Sequence, residues 1–82
     1  MLSLEKLPEV RLKCLDEESA IKVMEEVDKV PAERRGRNFA VRHGDTIVIT
    51  YTHKMWPYDI ADMAGELELA SDHDSAQVIA CL

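Results

Sequence analysis

The last third of this sequence lacks lysine and arginine altogether. From Met55 to Leu82 the chain carries six carboxylates, and its only imidazole there is that of His73. The whole chain of 82 residues has a net charge of −6, so this segment supplies as much negative charge as the entire molecule. Nucleic acids and anionic membranes are bound by cations that neutralise phosphate, and the composition therefore predicts neither as a partner.

Glycine, cysteine and long apolar runs are also scarce. The three glycines are widely separated, which excludes a glycine-rich phosphate loop. No apolar stretch approaches the ~20 residues of a membrane helix, and the first ten residues lack the basic and apolar regions of a signal peptide. Two cysteines in such a chain predict reduced thiols and a cytoplasmic protein. The length suits a single domain, residues 1–82.

The remaining pattern predicts a small α+β domain. Apolar and charged residues alternate between residues 10 and 14, as in a half-buried strand. Apolar residues then recur at spacings of three and four, which predicts an amphipathic helix capped by Asp16 and ended by Pro31. The next residues, 31–37, are interpreted as a polar loop. A second helix is predicted to begin at Pro57.

The middle of the chain predicts a β-hairpin. Two segments of strand-favouring composition flank residues 43–45, His-Gly-Asp, which have the composition of a turn. Phe39 and Val41 are expected on the core face, with Phe39 paired to Ile49. This register leaves residues 43–45 as a three-residue loop.

The C-terminal segment decides the fold class. Residues 76–82 are short and apolar, which favours a closing strand, and the alternative is a helix capped at Ser71 or Asp74. The strand interpretation gives the order β-α-β-β-α-β. With right-handed crossovers, this order predicts a ferredoxin-like antiparallel sheet, strand order 4-1-3-2, with both helices on one face. Such a fold hosts many functions and identifies none.

Few residues suggest metal or catalytic chemistry. Asp72-His73-Asp74 offers carboxylate and imidazole ligands, but three consecutive loop residues rarely converge on one ion, so we expect a solvated turn without metal or cofactor. His43 and His53 are predicted at opposite ends of one strand, too far apart to share a proton. Cys14 and Cys81 are predicted at opposite ends of neighbouring strands, beyond the ~7 Å that a disulfide allows, and buried as small apolar groups.

A basic segment, residues 33–43, precedes and includes the first hairpin strand. In the predicted register its aromatic residue, Phe39, faces the core, as does Tyr51, so the open sheet face is polar and mildly basic. RNA-binding sheets stack bases on exposed aromatics, and direct nucleic-acid binding is therefore not expected. The arginines of this segment form a candidate site for a small anion: Arg34, Arg35, Arg37 and Arg42.

The acidic segment contains two of the four aromatic residues of the chain, on either side of Pro57. Such residues commonly pack over a helix start. Tryptophan and tyrosine also dominate the energetics of protein interfaces, and neighbouring carboxylates attract a basic partner. The candidate partner-binding residues are Trp56, Tyr58, Asp59, Asp62, Glu66 and Glu68.

These features predict a small acidic, non-enzymatic protein-binding module. It would act as an inhibitor or adaptor whose surface 55–74 mimics the phosphates of a nucleic acid for a basic partner protein. The alternative function is a dimeric ferredoxin-like regulatory module that binds a small anionic ligand near residues 34–42. A third is a small hydrolase-like enzyme using His43 or His53. Exposed strand edges, among them Asn38–Arg42, predict a homodimer.

Overall fold

The computed structural model describes residues 6–82. Residues 1–5, on which part of the expectation about a signal peptide depends, lie outside the described part of the chain. The described chain is an α+β domain with the elements β1 (Glu9–Lys13), α1 (Glu17–Asp28), α2 (Ala32–Arg35), β2 (Phe39–His43), β3 (Thr46–Thr50), α3 (Met55–Glu66) and α4 (Asp72–Ala80).

The three strands form one antiparallel sheet in the order β1-β3-β2, so that β3 is the central strand. Helix α1 packs against β2 and β3, α4 packs against β1, and α3 packs against α1 and α4. The core consists of apolar side chains that are almost completely buried, the largest from the sheet and α1 being Leu12, Ile47, Ile49 and Val23. The prediction that β2 is an edge strand is confirmed, whereas β1 is an edge strand and not a central one.

The predicted ferredoxin-like βαββαβ arrangement is wrong in its last element. The observed order is β-α-α-β-β-α-α, and residues 72–80 form a helix, which was the alternative interpretation of this segment. Ser71 explains the helix: its hydroxyl accepts a hydrogen bond of 3.0 Å from the Asp74 amide and donates one of 2.8 Å to the Asp74 carboxylate. Asp72 and Asp74 lie in the first turn, where the helix dipole favours negative charge.

One further local prediction is corrected. The segment 31–37 contains the four-residue helix α2, and Asn38 after it connects this helix to the hairpin. The side-chain amide nitrogen of Asn38 donates to the Arg35 carbonyl at 2.7 Å, and its side-chain oxygen accepts from the Thr52 backbone amide at 2.7 Å. Gly65 lies inside α3, next to its last residue. A methyl group there would lie 3.3 Å from the Ser75 hydroxyl oxygen, so glycine allows α3 and α4 to approach closely.

The register of the hairpin differs from the predicted one by one residue. His43 pairs with Thr46 and Phe39 with Thr50, which leaves a two-residue turn of Gly44 and Asp45. Gly44 has a φ of +64°, in the left-handed region that glycine tolerates best, and glycine first in a two-residue turn matches the twist of a hairpin. The turn therefore outweighs the apolar pattern of β2 in setting the register.

This shift exchanges the two faces of β2. Phe39 and Val41, predicted in the core, are 54% and 50% exposed on the open face of the sheet. Ala40 packs against the core instead, and Arg42 reaches Glu17 of α1 in an ion pair of 3.3 Å. The open face therefore carries one aromatic side chain, contrary to the prediction.

We expect the substitution Phe39→Ser to cost less than about 1 kcal/mol of unfolding free energy, because it removes an exposed ring and only some strand propensity. Urea denaturation measures this value. Ile49→Ala is the control: it empties a fully buried position of the same sheet and should cost about 2–5 kcal/mol. A loss above about 3 kcal/mol for Phe39→Ser would place the ring in the core and restore the predicted register.

Candidate partner-binding surface

Four carboxylates on α3 and in the turn after it form one exposed group, which we call the acidic surface: Asp59, Asp62, Glu66 and Glu68. Within residues 6–82, none of these carboxylates forms an ion pair. Within these residues the four carboxylates also form no side-chain hydrogen bond. The acidic surface is therefore free to meet cations from outside the chain.

The start of α3 positions the two aromatic residues beside the acidic surface. The helix begins at Met55, two residues before the predicted start, and the His53 ring accepts a hydrogen bond of 3.1 Å from the Met55 amide. Pro57 is buried in the first turn, where its missing N–H has no partner to lose. Tyr58 is 40% exposed, whereas Trp56 is partly buried and packs against the core.

Trp56 carries an unsatisfied polar group. Its indole Nε1 is buried and has no hydrogen-bond acceptor among the described residues. A buried donor without a partner costs about 1–3 kcal/mol. The Trp56 ring thus packs against the core while its N–H donates no hydrogen bond to the described residues.

The end of α3 holds Glu68 in a backbone conformation that most residues avoid. Its φ is +57°, in the left-handed region. The Leu69 amide donates to the Ala64 carbonyl at 2.8 Å across this residue, which is the helix-ending motif that usually contains glycine at this position. A non-glycine residue in this conformation costs roughly 1–2 kcal/mol. The next peptide is fixed by the Leu15 amide, which donates to the Leu69 carbonyl at 3.0 Å.

The charges of the domain are segregated by layer. Helices α1, α3 and α4 together contain ten carboxylates and a single lysine, Lys22. The three strands contain three cationic side chains, Arg11, Lys13 and Arg42, and one carboxylate, Glu9. Arg11 and Lys13 lie on the open face of the sheet, opposite the helices. The domain therefore has one strongly acidic layer and one weakly basic layer.

The structure does not bring the four candidate anion-binding arginines to one point. Arg34 and Arg35 belong to α2, and Arg37 follows it. Arg42 lies near the other end of β2, five residues or roughly 16 Å further along an extended strand. Its guanidinium contacts Glu17 and donates to the Gly44 carbonyl at 3.0 Å.

The remaining candidates for chemistry are dispersed. His43 ends β2 at the hairpin turn, and His53 lies after the far end of β3. Asp72, His73 and Asp74 form the first turn of α4, so their prediction as a loop is wrong. Among residues 6–82, no three histidine, cysteine or acidic side chains are close enough to hold a metal ion.

The two cysteines are free thiols in different environments. Cys14 is buried as predicted, and its burial, followed by the negative charge of Asp45, raises its pKa to about 11. Cys81 follows α4 and is exposed, so its prediction as a buried residue is wrong. The strand geometry that separated the two cysteines in the sequence argument does not exist.

Sequence reasoning missed the contribution of α1 to this region. Val27, Val30 and Glu26 of the α1 end line a groove together with Trp56 and Asp59 of α3. The amphipathic pattern of α1 predicted that one face of this helix is buried, but not that α3 would pack beside it. Only the pairing of the two helices creates the groove.

No protein-family model matches the chain, and no curated protein or solved structure is significantly similar to it. None of the helices between residues 6 and 82 is long and apolar enough to span a bilayer.

The conformation of Glu68 predicts that Glu68→Gly raises the unfolding free energy by about 1 kcal/mol, because glycine adopts this φ without strain. Thermal or urea unfolding measures the change. Glu66→Gly is the matched control: it removes the same charge from the same surface but places glycine inside a helix, and it should cost about 1 kcal/mol. Equal effects of the two substitutions would show that charge, not backbone conformation, determines stability here.

Proposed function

We propose that this chain is a small, acidic, non-enzymatic protein-binding module that docks on the basic surface of another protein. The observation that carries the proposal is the acidic surface itself, which has four exposed carboxylates and no cation from the described residues in contact with them. Tyr58 and the edge of Trp56 lie beside it, and such residues contribute strongly to binding energy.

The acidic surface is costly to the isolated fold. Asp59, Asp62 and Glu66 follow each other at spacings of three and four on α3, so they repel one another by a few tenths of a kcal/mol per pair. Glu68 adds the cost of a left-handed conformation that glycine would avoid. Both costs are understandable if the carboxylates are required for binding.

The chemistry of the partner follows from this arrangement. A row of carboxylates presents negative charges at short intervals, as a nucleic-acid backbone does, and steers a basic protein towards the helix layer. We therefore favour an inhibitor or adaptor whose target has clustered lysine or arginine, including targets that otherwise bind nucleic acid. The alternative, a small-anion site near Arg34, Arg35 and Arg37, has less support because Arg42 is separated from them and paired with Glu17.

The proposal predicts that neutralising the row (Asp59→Asn, Asp62→Asn and Glu66→Gln together) leaves thermal stability unchanged or slightly raised, because the repulsion disappears. The same change should weaken partner binding at least about tenfold, or 1.4 kcal/mol. Immobilised wild type and triple variant are compared for the proteins they retain from a lysate of the native host, at low and high salt. The partner should bind the wild type in a salt-sensitive manner.

A matched control separates position from net charge. The variant Glu18→Gln, Asp28→Asn, Glu33→Gln also removes three exposed carboxylates, but from outside the acidic surface. It should retain the partner. Loss of the same proteins from both variants, or from neither, would contradict a specific role of the acidic surface, and a loss of several kcal/mol in stability for the first variant would make its carboxylates structural.

Self-association is a second proposal, supported by the exposed edge of the sheet. Among residues 6–82, strand β2 has no neighbour on its outer side, and Phe39 and Val41 lie exposed on the adjoining face. Unpaired strand edges and exposed apolar side chains both favour pairing with a second copy. Light scattering at high micromolar concentration should give the mass of a dimer, and Val41→Lys should shift it to that of a monomer. A monomeric mass for the wild type would reject this proposal.

A further inference from the structure

The α1–α3 groove is an apolar depression beside the acidic surface. It lies between the last turns of α1 and the first turns of α3, and its apolar walls are formed by Val27, Val30, Trp56, Ile60 and Met63. Two carboxylates, Glu26 and Asp59, also line it. Glu26 is in an ion pair of 2.9 Å with Lys29, whereas Asp59 belongs to the acidic surface and is unpaired.

The size of the groove indicates what it accommodates. Its volume is about 210 Å³. A cavity of roughly 150 Å³ holds a benzene ring, whereas pockets for small-molecule ligands are usually about 300–1,000 Å³. The groove therefore has room for one large apolar side chain and is small for a cofactor or metabolite.

A second depression continues the groove along the same pair of helices. It is lined by Lys22, Glu25 and Glu26 of α1 and by Leu67 and Leu69 after α3. Glu26 belongs to both depressions, and their α1 residues are displaced by about four positions, which corresponds to one helical turn of ~5.4 Å. Two apolar anchors spaced by one turn are what an amphipathic helix presents at positions i and i+3 or i+4.

The charge around the groove selects the polar side of that helix. Glu25, Glu26 and Asp59 line the two depressions, and Glu26 is already paired with Lys29. Among the described residues that line them, Lys22 is the one cation. The surrounding helix layer is acidic as a whole. A helix with lysine or arginine beside its apolar anchors complements this field, and an acidic helix is repelled by it.

We propose that the α1–α3 groove binds a basic amphipathic helix of the partner protein, with one apolar side chain in each depression. This inference rests on the proposed protein-binding function and specifies the recognition element. The bound helix would lie along α1 and α3, its apolar side chains against Val30, Met63 and Leu67 and its cations against Asp59 and Glu25. The acidic surface then supplies attraction and the groove supplies selectivity for the helical spacing.

The test uses a synthetic peptide of about 15 residues, long enough to form a helix, with leucines on one face and lysines elsewhere. Trp56 is the only tryptophan of the chain, so its fluorescence reports on occupancy of the groove when the peptide contains none. We expect saturable binding with a change in Trp56 emission. A peptide of identical composition, with the leucines distributed around the helix, should bind at least about tenfold more weakly.

Two protein variants distinguish the groove from the acidic surface. Met63→Gln keeps the side-chain length and makes the groove wall polar, and it should weaken the binding of the amphipathic peptide about tenfold. Ile21→Gln is the control, because Ile21 is an exposed apolar residue of α1 outside both depressions, and it should bind the peptide normally. Unfolding curves of both variants verify that they are folded.

Three other outcomes would contradict the groove inference or the proposed function. If both peptides bind equally and only neutralisation of Asp59, Asp62 and Glu66 weakens them, the groove inference is wrong and the acidic docking function stands. If the amphipathic peptide binds but Met63→Gln has no effect, the helix binds elsewhere and the groove inference is again wrong. If neither peptide binds at low salt and no lysate protein depends on the acidic surface, the proposed function fails as well.

Discussion

The structure depends on one constraint: the apolar face of a small three-stranded sheet has to be buried under the helices. Central strand β3 contributes Ile47 and Ile49, both fully buried, and pairs with both other strands. Helices α1 and α4 lie on the strands and α3 packs against both of them, so the apolar sides of the helices are directed inwards. Their outer sides carry the carboxylates, and the uncovered face of the sheet keeps Phe39, Arg11 and Lys13. The acidic layer and the open face are consequences of this single arrangement.

The sequence predicted those elements whose signals are local and agree with one another. The alternation of β1, the helical spacing of α1 and the Asp16 cap were sufficient; the Asp16 carboxylate does accept a hydrogen bond of 2.7 Å from the Ser19 amide. The last element failed because a short apolar segment is compatible with strand or helix, and a possible cap at Ser71 does not decide between them by itself. The hairpin register failed because a two-residue turn with Gly44 outweighed two apolar side chains.

The same distinction holds for the candidate surface. The row on α3 was predictable, because helical spacing alone places Asp59, Asp62 and Glu66 together. The groove was not, because it arises where α1 and α3 meet, and no local pattern fixes that contact. The unusual backbone of Glu68 was also invisible in the sequence, since a glutamate in a glycine position shows itself only by its φ. Tertiary packing therefore adds the neighbouring groove to the row, and the structure alone reveals the cost of the Glu68 backbone.

The separation of charge between the layers has a consequence for the speed of association. Ten carboxylates in α1, α3 and α4 and the cations Arg11 and Lys13 on the opposite sheet face give the two sides of the molecule unlike charge. In the field of a positively charged protein such a molecule rotates before contact, so that α1 and α3 arrive first. Encounter then becomes faster than the random collision of two neutral surfaces, and the gain disappears as salt shortens the screening length to below ~8 Å.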